Sequence, residues 1–262
     1  MSWHRVYAIV LRYLYGIQRD VPRLFDIFFW PLIDLFVWGF LTVYLSQARG
    51  GAYVALSWLI GGIIFWTLLY RTSQDVDVQL LEDIHARNFL NLFASPLQLR
   101  EFVAALLIVC CLKVLVTFLL LSALALVCYA FNVFDLGPYL VPYLMVLFLF
   151  GWAMGLVVAG LIVRYGSRIQ IFAWGSAFII QPISAVFYPV DTLPQPLATL
   201  AWANPATYVF EGMRSVLLTG TFLLDQWLMA MALSTLALAA SGWVFARLFA
   251  QARALGMLAR LD

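Results

Sequence analysis

The chain has 262 residues, 65% of them hydrophobic and only 11% charged, with a mean hydropathy of +0.97 and a net charge of +2. Ordinary soluble domains carry roughly a quarter of their residues as charged groups, so this composition excludes a water-soluble globular protein. Lipid must be the solvent over much of the chain, and no nucleic-acid partner is expected.

The first 23 residues form a unit of their own. Trp3, Val6, Tyr7, Val10, Leu14 and Ile17 repeat at helical spacing, while Arg5, Arg12 and Arg19 recur every seven residues and share a face. This pattern predicts a basic amphipathic helix lying on the membrane surface, set off from the first apolar segment by Pro22. The arginines are spread through the segment rather than gathered before an apolar run, so no cleaved leader is expected.

Spanning helices need about 20 mostly apolar residues, and six segments qualify: 24–46, 53–70, 102–131, 139–163, 169–188 and 226–249. Between the second and third, residues 71–101 read as a cytoplasmic loop holding Asp75, Asp77, Glu82, Asp83 and Glu101. Within that loop a helix is expected over 77–95, with Leu80, Leu81, Ile84, Phe89, Leu90 and Leu92 as its apolar stripe and Pro96 at its end. Gly151, Gly155 and Ala159 in the fourth span let another helix approach closely.

Residues 189–225 form a second long connection, opening on Pro189, Asp191, Pro194 and Pro196. Asn204-Pro205 reads as a helix start, with Asn as the N-cap and Pro where its missing N–H costs nothing. The helix after this start carries Glu211 and Arg214. It is too short and polar to span, and dipping back into the outer leaflet suits it. The predicted fold is therefore all-α and polytopic, in one domain.

Arginine placement sets the orientation. With a cytoplasmic N-terminus, Arg5, Arg12, Arg19, Arg23, Arg71, Arg87, Arg100, Arg164, Arg168, Arg247, Arg253 and Arg260 fall inside, and only Arg49 and Arg214 fall outside. That bias follows the positive-inside rule and puts both termini in the cytoplasm.

Catalytic signatures are absent: no HExxH, no GxSxG, and no GxxxxGK[ST] phosphate loop. The one lysine, Lys113, lies mid-span. Cys110, Cys111 and Cys128 lack metal-ligand or CxxC spacing and are expected as buried small hydrophobes. Asp34 and Lys113 are ionisable groups inside spans, each requiring a partner or a polar path. An ion pair between them, a polar path beside Asp34, and snorkelling of Lys113 all satisfy that requirement.

The order of these parts resembles the membrane subunit of an ABC-2-type exporter over essentially the whole chain. The most specific stretch is Gln181–Leu218, with Ser184, Phe187 and Pro189, then Asp191, Leu193 and Pro194, then Asn204, Pro205, Tyr208 and Arg214. The resemblance implies a homodimer seated on two separate ATP-binding-cassette subunits, which would hold the ATP and Mg while this chain holds no cofactor or metal. It implies that 77–95 is a coupling helix docked on the ATPase, with Glu82, Asp83, His85, Arg87 and Asn88 as contacts, and Arg5 and Arg12 of the N-terminal helix against the same partner. The Arg164–Arg168 turn would add a lesser contact. A prokaryotic plasma membrane and an amphipathic or lipid-linked substrate (polysaccharide, glycolipid, drug or lipid) come from the same likeness. Two other classes remain open at this point: an intramembrane lipid-modifying enzyme, which needs convergent reactive groups at one depth, and a secondary transporter, which should show internal repeats and helices broken near midplane.

Overall fold

A computed structural model describes residues 2–48, 54–85, 92, 95–166 and 169–255, and among these the chain is helical with no strand. In chain order the helices are α1 (Trp3–Arg19), α2 (Val21–Ala48), α3 (Val54–His85), α4 (Leu99–Tyr129), α5 (Leu140–Tyr165), α6 (Gln170–Ile180), α7 (Gln195–Ala201), α8 (Pro205–Thr219) and α9 (Leu224–Ala254). Short 3-10 turns lie at Val133–Tyr139, Gln181–Ile183 and Val190–Thr192.

Four segments among the described residues are long and apolar enough to cross a bilayer: Leu24–Gln47, Leu99–Tyr129, Val133–Tyr165 and Leu224–Ala254. They coincide with the expected first, third, fourth and sixth spans. The other two segments take a form the hydropathy did not show. The expected second span is the front of α3, which does not stop at Arg71 but runs on unbroken to His85. The expected fifth span contains α6, only 11 residues long and so about 16 Å, which is short of a hydrocarbon core about 30 Å thick. A 3-10 turn containing Pro182 comes next, and Ala185 then adopts a left-handed φ of +54° that turns the chain.

Local sequence explains the ends of α4. Gln98 and Glu101 form a reciprocal capping box at its start, and Ala130 in the left-handed conformation (φ +52°) closes its end. Its 31 residues place Cys110 in the core, Cys111 half-buried and Cys128 on the exposed face. The expectation that all three cysteines are buried is thus corrected for Cys128, because α4 presents one full face outward.

Most of the core is one cluster, with α5 at its centre between α3 and α9, and a small second cluster gathers Ala185, Val190 and Ala201. The approach of α3 to α5 is close. A Cβ added at Gly151 would lie 2.7 Å from Thr72 Cβ, and one at Gly155 would lie 2.7 Å from the backbone oxygen of Ser73. The small residues of the fourth span are therefore used within the chain, against α3.

Candidate functional site

Two regions carry polar chemistry. The first is the second half of α3, where Arg71, Thr72, Ser73, Gln74, Asp75, Asp77, Gln79 and Asp83 are all buried. Charges inside a protein need partners, and α3 finds them on three neighbouring helices. Arg71 Nη1 reaches Asp26 on α2 at 3.2 Å, and its Nη2 donates to the Asp26 backbone oxygen at 2.9 Å. Lys113 on α4 donates to Asp75 at 2.8 Å. Arg12 on α1 donates to both oxygens of Asp83 at 2.8 Å, and the Tyr13 hydroxyl donates to the same carboxylate.

These pairs resolve the question of the intramembrane charges. Lys113 bonds Asp75, a residue expected in the cytoplasmic loop, and not Asp34. Matched depth counted along two spans misses this because α3 carries its acids back into the bundle. Asp34, on the exposed face of α2, has Arg71 as its electrostatic neighbour.

The N-terminal helix is amphipathic as expected, with Val6, Val10 and Ile17 of its apolar stripe buried, but two of its arginines also find acids on neighbouring helices. Arg12 turns inward to Asp83, and Arg5 turns toward Glu101 (3.5 Å) and the Pro96 carbonyl. The Ser2 backbone N–H also donates to Glu101, at 2.6 Å. Trp3 and Tyr7 of the expected stripe are exposed, as are Tyr15 and Arg19. Burial alone would lower the Arg12 pKa, but the Asp83 hydrogen bond and charge outweigh it and raise it. Burial, then the Asp83 charge, push the Tyr13 phenol well above its usual value, so it stays a proton donor.

Of the expected ATPase contacts, Asp83 is therefore covered by α1 and Arg12 is bound to it, so both are engaged within the chain. Glu82 is half-buried near the end of α3, and His85 is its last residue. Arg87 and Asn88 lie outside the described residues, as does most of 86–94. Nothing in the local sequence points to Tyr13, Asp26 or Glu101 as partners. Each lies far along the chain from the residue it binds.

The second region is assembled around α8. Asn204 caps it as expected: its Oδ1 accepts from the Ala206 N–H at 3.1 Å with Pro205 in the first turn, while its Nδ2 donates to Ser184 Oγ at 2.8 Å. Replacing Asn204 by alanine removes both bonds and is expected to cost about 1–2 kcal/mol, read as a lower thermal midpoint of the purified protein in lipid. Asn204→Asp, which keeps the capping oxygen, should recover part of that loss. Tyr208 donates to the Trp202 carbonyl at 2.8 Å, holding α7 to α8.

Glu211 and Arg214 pair at 2.9 Å and grip the preceding turn together. Arg214 Nη2 donates to the Ala185 carbonyl at 2.7 Å, and the Val190 N–H donates to Glu211 at 2.7 Å. Pro189 and Asp191 flank and enter the 3-10 turn at Val190–Thr192, and Pro194 immediately precedes α7. Pro189, Asp191 and Pro194 face outward. Phe187 stacks on Trp38 of α2 at 4.2 Å. A hollow of about 330 Å³ opens beside the Glu211–Arg214 pair, with Asp191, Trp202 and Gln226 among its walls.

Among the described residues, no group of three or more His, Cys, Asp or Glu side chains could hold a metal ion. No curated protein matches the chain. The family described as ABC-2 type transporter matches residues 6–218, from within α1 to near the end of α8, and so takes in both polar regions. The chain therefore belongs to the ABC-2 type transporter family and is a multi-pass membrane component of an ATP-binding-cassette transporter.

Proposed function

We propose that this chain is the membrane half of an ATP-driven exporter in a prokaryotic plasma membrane. It works as a homodimer on two separate ATPase subunits and moves an amphipathic or lipid-linked compound outward. Six crossings with both termini cytoplasmic complete the reading, with the front of α3 and the 169–188 segment as the second and fifth.

The observation that carries it is the unbroken course of α3 from an apolar front half to the segment expected to meet the ATPase. A helix that does not break transmits displacement as a rigid body. Closure of the ATP-bound partners would push residues 77–95, and α3 would carry that push to the Gly62 region, where it meets the Val186 carbonyl of the outer turn. Ion pairs from α3 to α1, α2 and α4 would make those helices move with it. The outer segment would then open on the far side.

Co-expression with the cognate ATPase tests the coupling role. Changing Glu82 and Arg87 together to alanine should abolish co-purification and transport while leaving the membrane subunit folded. Retained association and transport after that change, or after deletion of 77–95, would sink the assignment. An adjacent gene for an ATP-binding-cassette subunit supports the pairing, and neighbouring glycosyltransferase genes would select a polysaccharide as substrate.

A further inference from the structure

Asp77 sets a problem that the exporter reading does not absorb. Its residue is 0% exposed, and neither carboxylate oxygen has a hydrogen-bond partner. It lies about two helical turns beyond Tyr70, past the expected crossing segment, where α3 is pressed against α5. From α5 the backbone at Ala159 faces it without forming a hydrogen bond of ordinary geometry. One turn earlier on the same face, Ser73 is buried with an unpaired hydroxyl.

The surrounding charges are already committed. Arg71 serves Asp26, Lys113 serves Asp75, and Arg12 serves Asp83. From α5, the element against which Asp77 packs, no ionisable side chain lies between Tyr143 and Arg164. Among the other helices packed on α3, α6 contributes none. From α4 come Cys110 and Lys113, from α1 Arg12 and Tyr13, from α2 Asp26 and Asp34, and from α8 Tyr208, Glu211 and Arg214.

An ionised carboxylate enclosed without a cation or a donor is among the costliest arrangements a protein can hold, and such a group neutralises instead. Gly151 and Gly155 bring the helices too close for a counter-ion to sit between them at that level.

We propose that Asp77 is a proton-binding site closed between α3 and α5, occupied by one proton in this conformation and emptied when the two helices part. No bond other than O–H is made or broken: the carboxylic acid releases its proton to water entering the opened seam, and takes one up as the seam closes. Burial pushes this carboxyl well above the usual carboxylate range, in the direction the geometry requires. If α3 is the moving rod of the export cycle, each closure carries a proton uptake. The occupancy of the site itself does not depend on that reading.

Infrared spectroscopy of the full chain in lipid, at neutral pH, reads the proton directly. The carbonyl stretch of a neutral carboxylic acid should be present, should shift slowly in heavy water because the site is enclosed, and should vanish in Asp77→Asn but persist in Asp34→Asn. The melting behaviour gives a second readout. A carboxyl with a raised folded-state pKa contributes no pH-dependent loss below the unfolded value. It then costs the folded state progressively more as pH rises toward the folded value. Asp77→Asn, which imitates the protonated form, should therefore melt with the wild type near pH 4, about the ordinary Asp value, and above it by a widening margin toward neutral pH and beyond. A spectrum of the wild type with no neutral carboxyl band overturns the proposal, whether or not the variant folds. So does a melting temperature that tracks sodium or potassium through Asp77, which would make the site one for a metal cation. Unchanged transport in Asp77→Asn, with the band present in the wild type, would leave the proton site standing and count only against α3 as the moving element.

Discussion

Arg214→Ala is expected to release the preceding turn from α8 and to destabilise the protein by about 3–5 kcal/mol, the usual cost of leaving one member of a buried ion pair alone. The Arg214 side chain is 5% exposed and that of Glu211 is 20% exposed. Alanine strands the Ala185 carbonyl along with the Glu211 carboxylate, and removes the guanidinium from above the Trp58 ring, 5.2 Å away. Lysine should not rescue it, because a single ammonium cannot serve the carboxylate and the carbonyl in the fixed directions of a guanidinium fork. The double change Arg214→Met with Glu211→Gln removes the uncompensated charge and should recover part of the loss, giving a coupling energy between the two sites. Thermal melting in lipid, with protease cleavage near residues 185–195, measures both effects. An Arg214→Ala protein that melts with the wild type and resists cleavage would mean that the pair holds nothing.

A second large effect is expected at Gly155. A valine there puts Cβ 2.7 Å from the Ser73 backbone oxygen and 2.9 Å from Val76 Cβ, distances at which the helices themselves must move apart. Overpacking of this kind costs about 1–3 kcal/mol or more, and here it also shifts α3 against α5, so transport should fall further than stability. Gly175 on α6 is the matched control, since an added Cβ there meets nothing within 4 Å. Gly175→Ala should be neutral or slightly stabilising, by about 0.5–1 kcal/mol from helix propensity.

Much of this architecture is legible in the sequence where the signal is local. Apolar length marks four of the spans, and Asn204-Pro205 marks the start of α8 because capping chemistry is complete within three residues. The fifth segment misleads hydropathy because a window average does not register Pro182 or the left-handed Ala185. The second half of α3 misleads for a different reason. Charge density there reads as solvent exposure, whereas Asp75 and Asp83 are neutralised by Lys113 and Arg12, which are 38 and 71 positions away. The same blindness hides the partners of the α1 arginines. A seven-residue arginine repeat states that Arg5 and Arg12 share a side, but which side is set by Asp83 and Glu101, both beyond the reach of any local pattern.

The distances along the chain between α1 and its partners also constrain biogenesis. Arg12 waits for Asp83, 71 residues downstream, and the Ser2 amide waits for Glu101, 99 residues downstream. The N-terminal helix is therefore made first and seated late: it cannot take its native position until the whole of α3 and the first turn of α4 have left the ribosome. In the interval its exposed Trp3, Tyr7 and Tyr15 can rest at the headgroup level while its arginines remain in water. Docking of α1 is therefore a late step of assembly, since its partners Asp83 and Glu101 lie at the end of α3 and the start of α4.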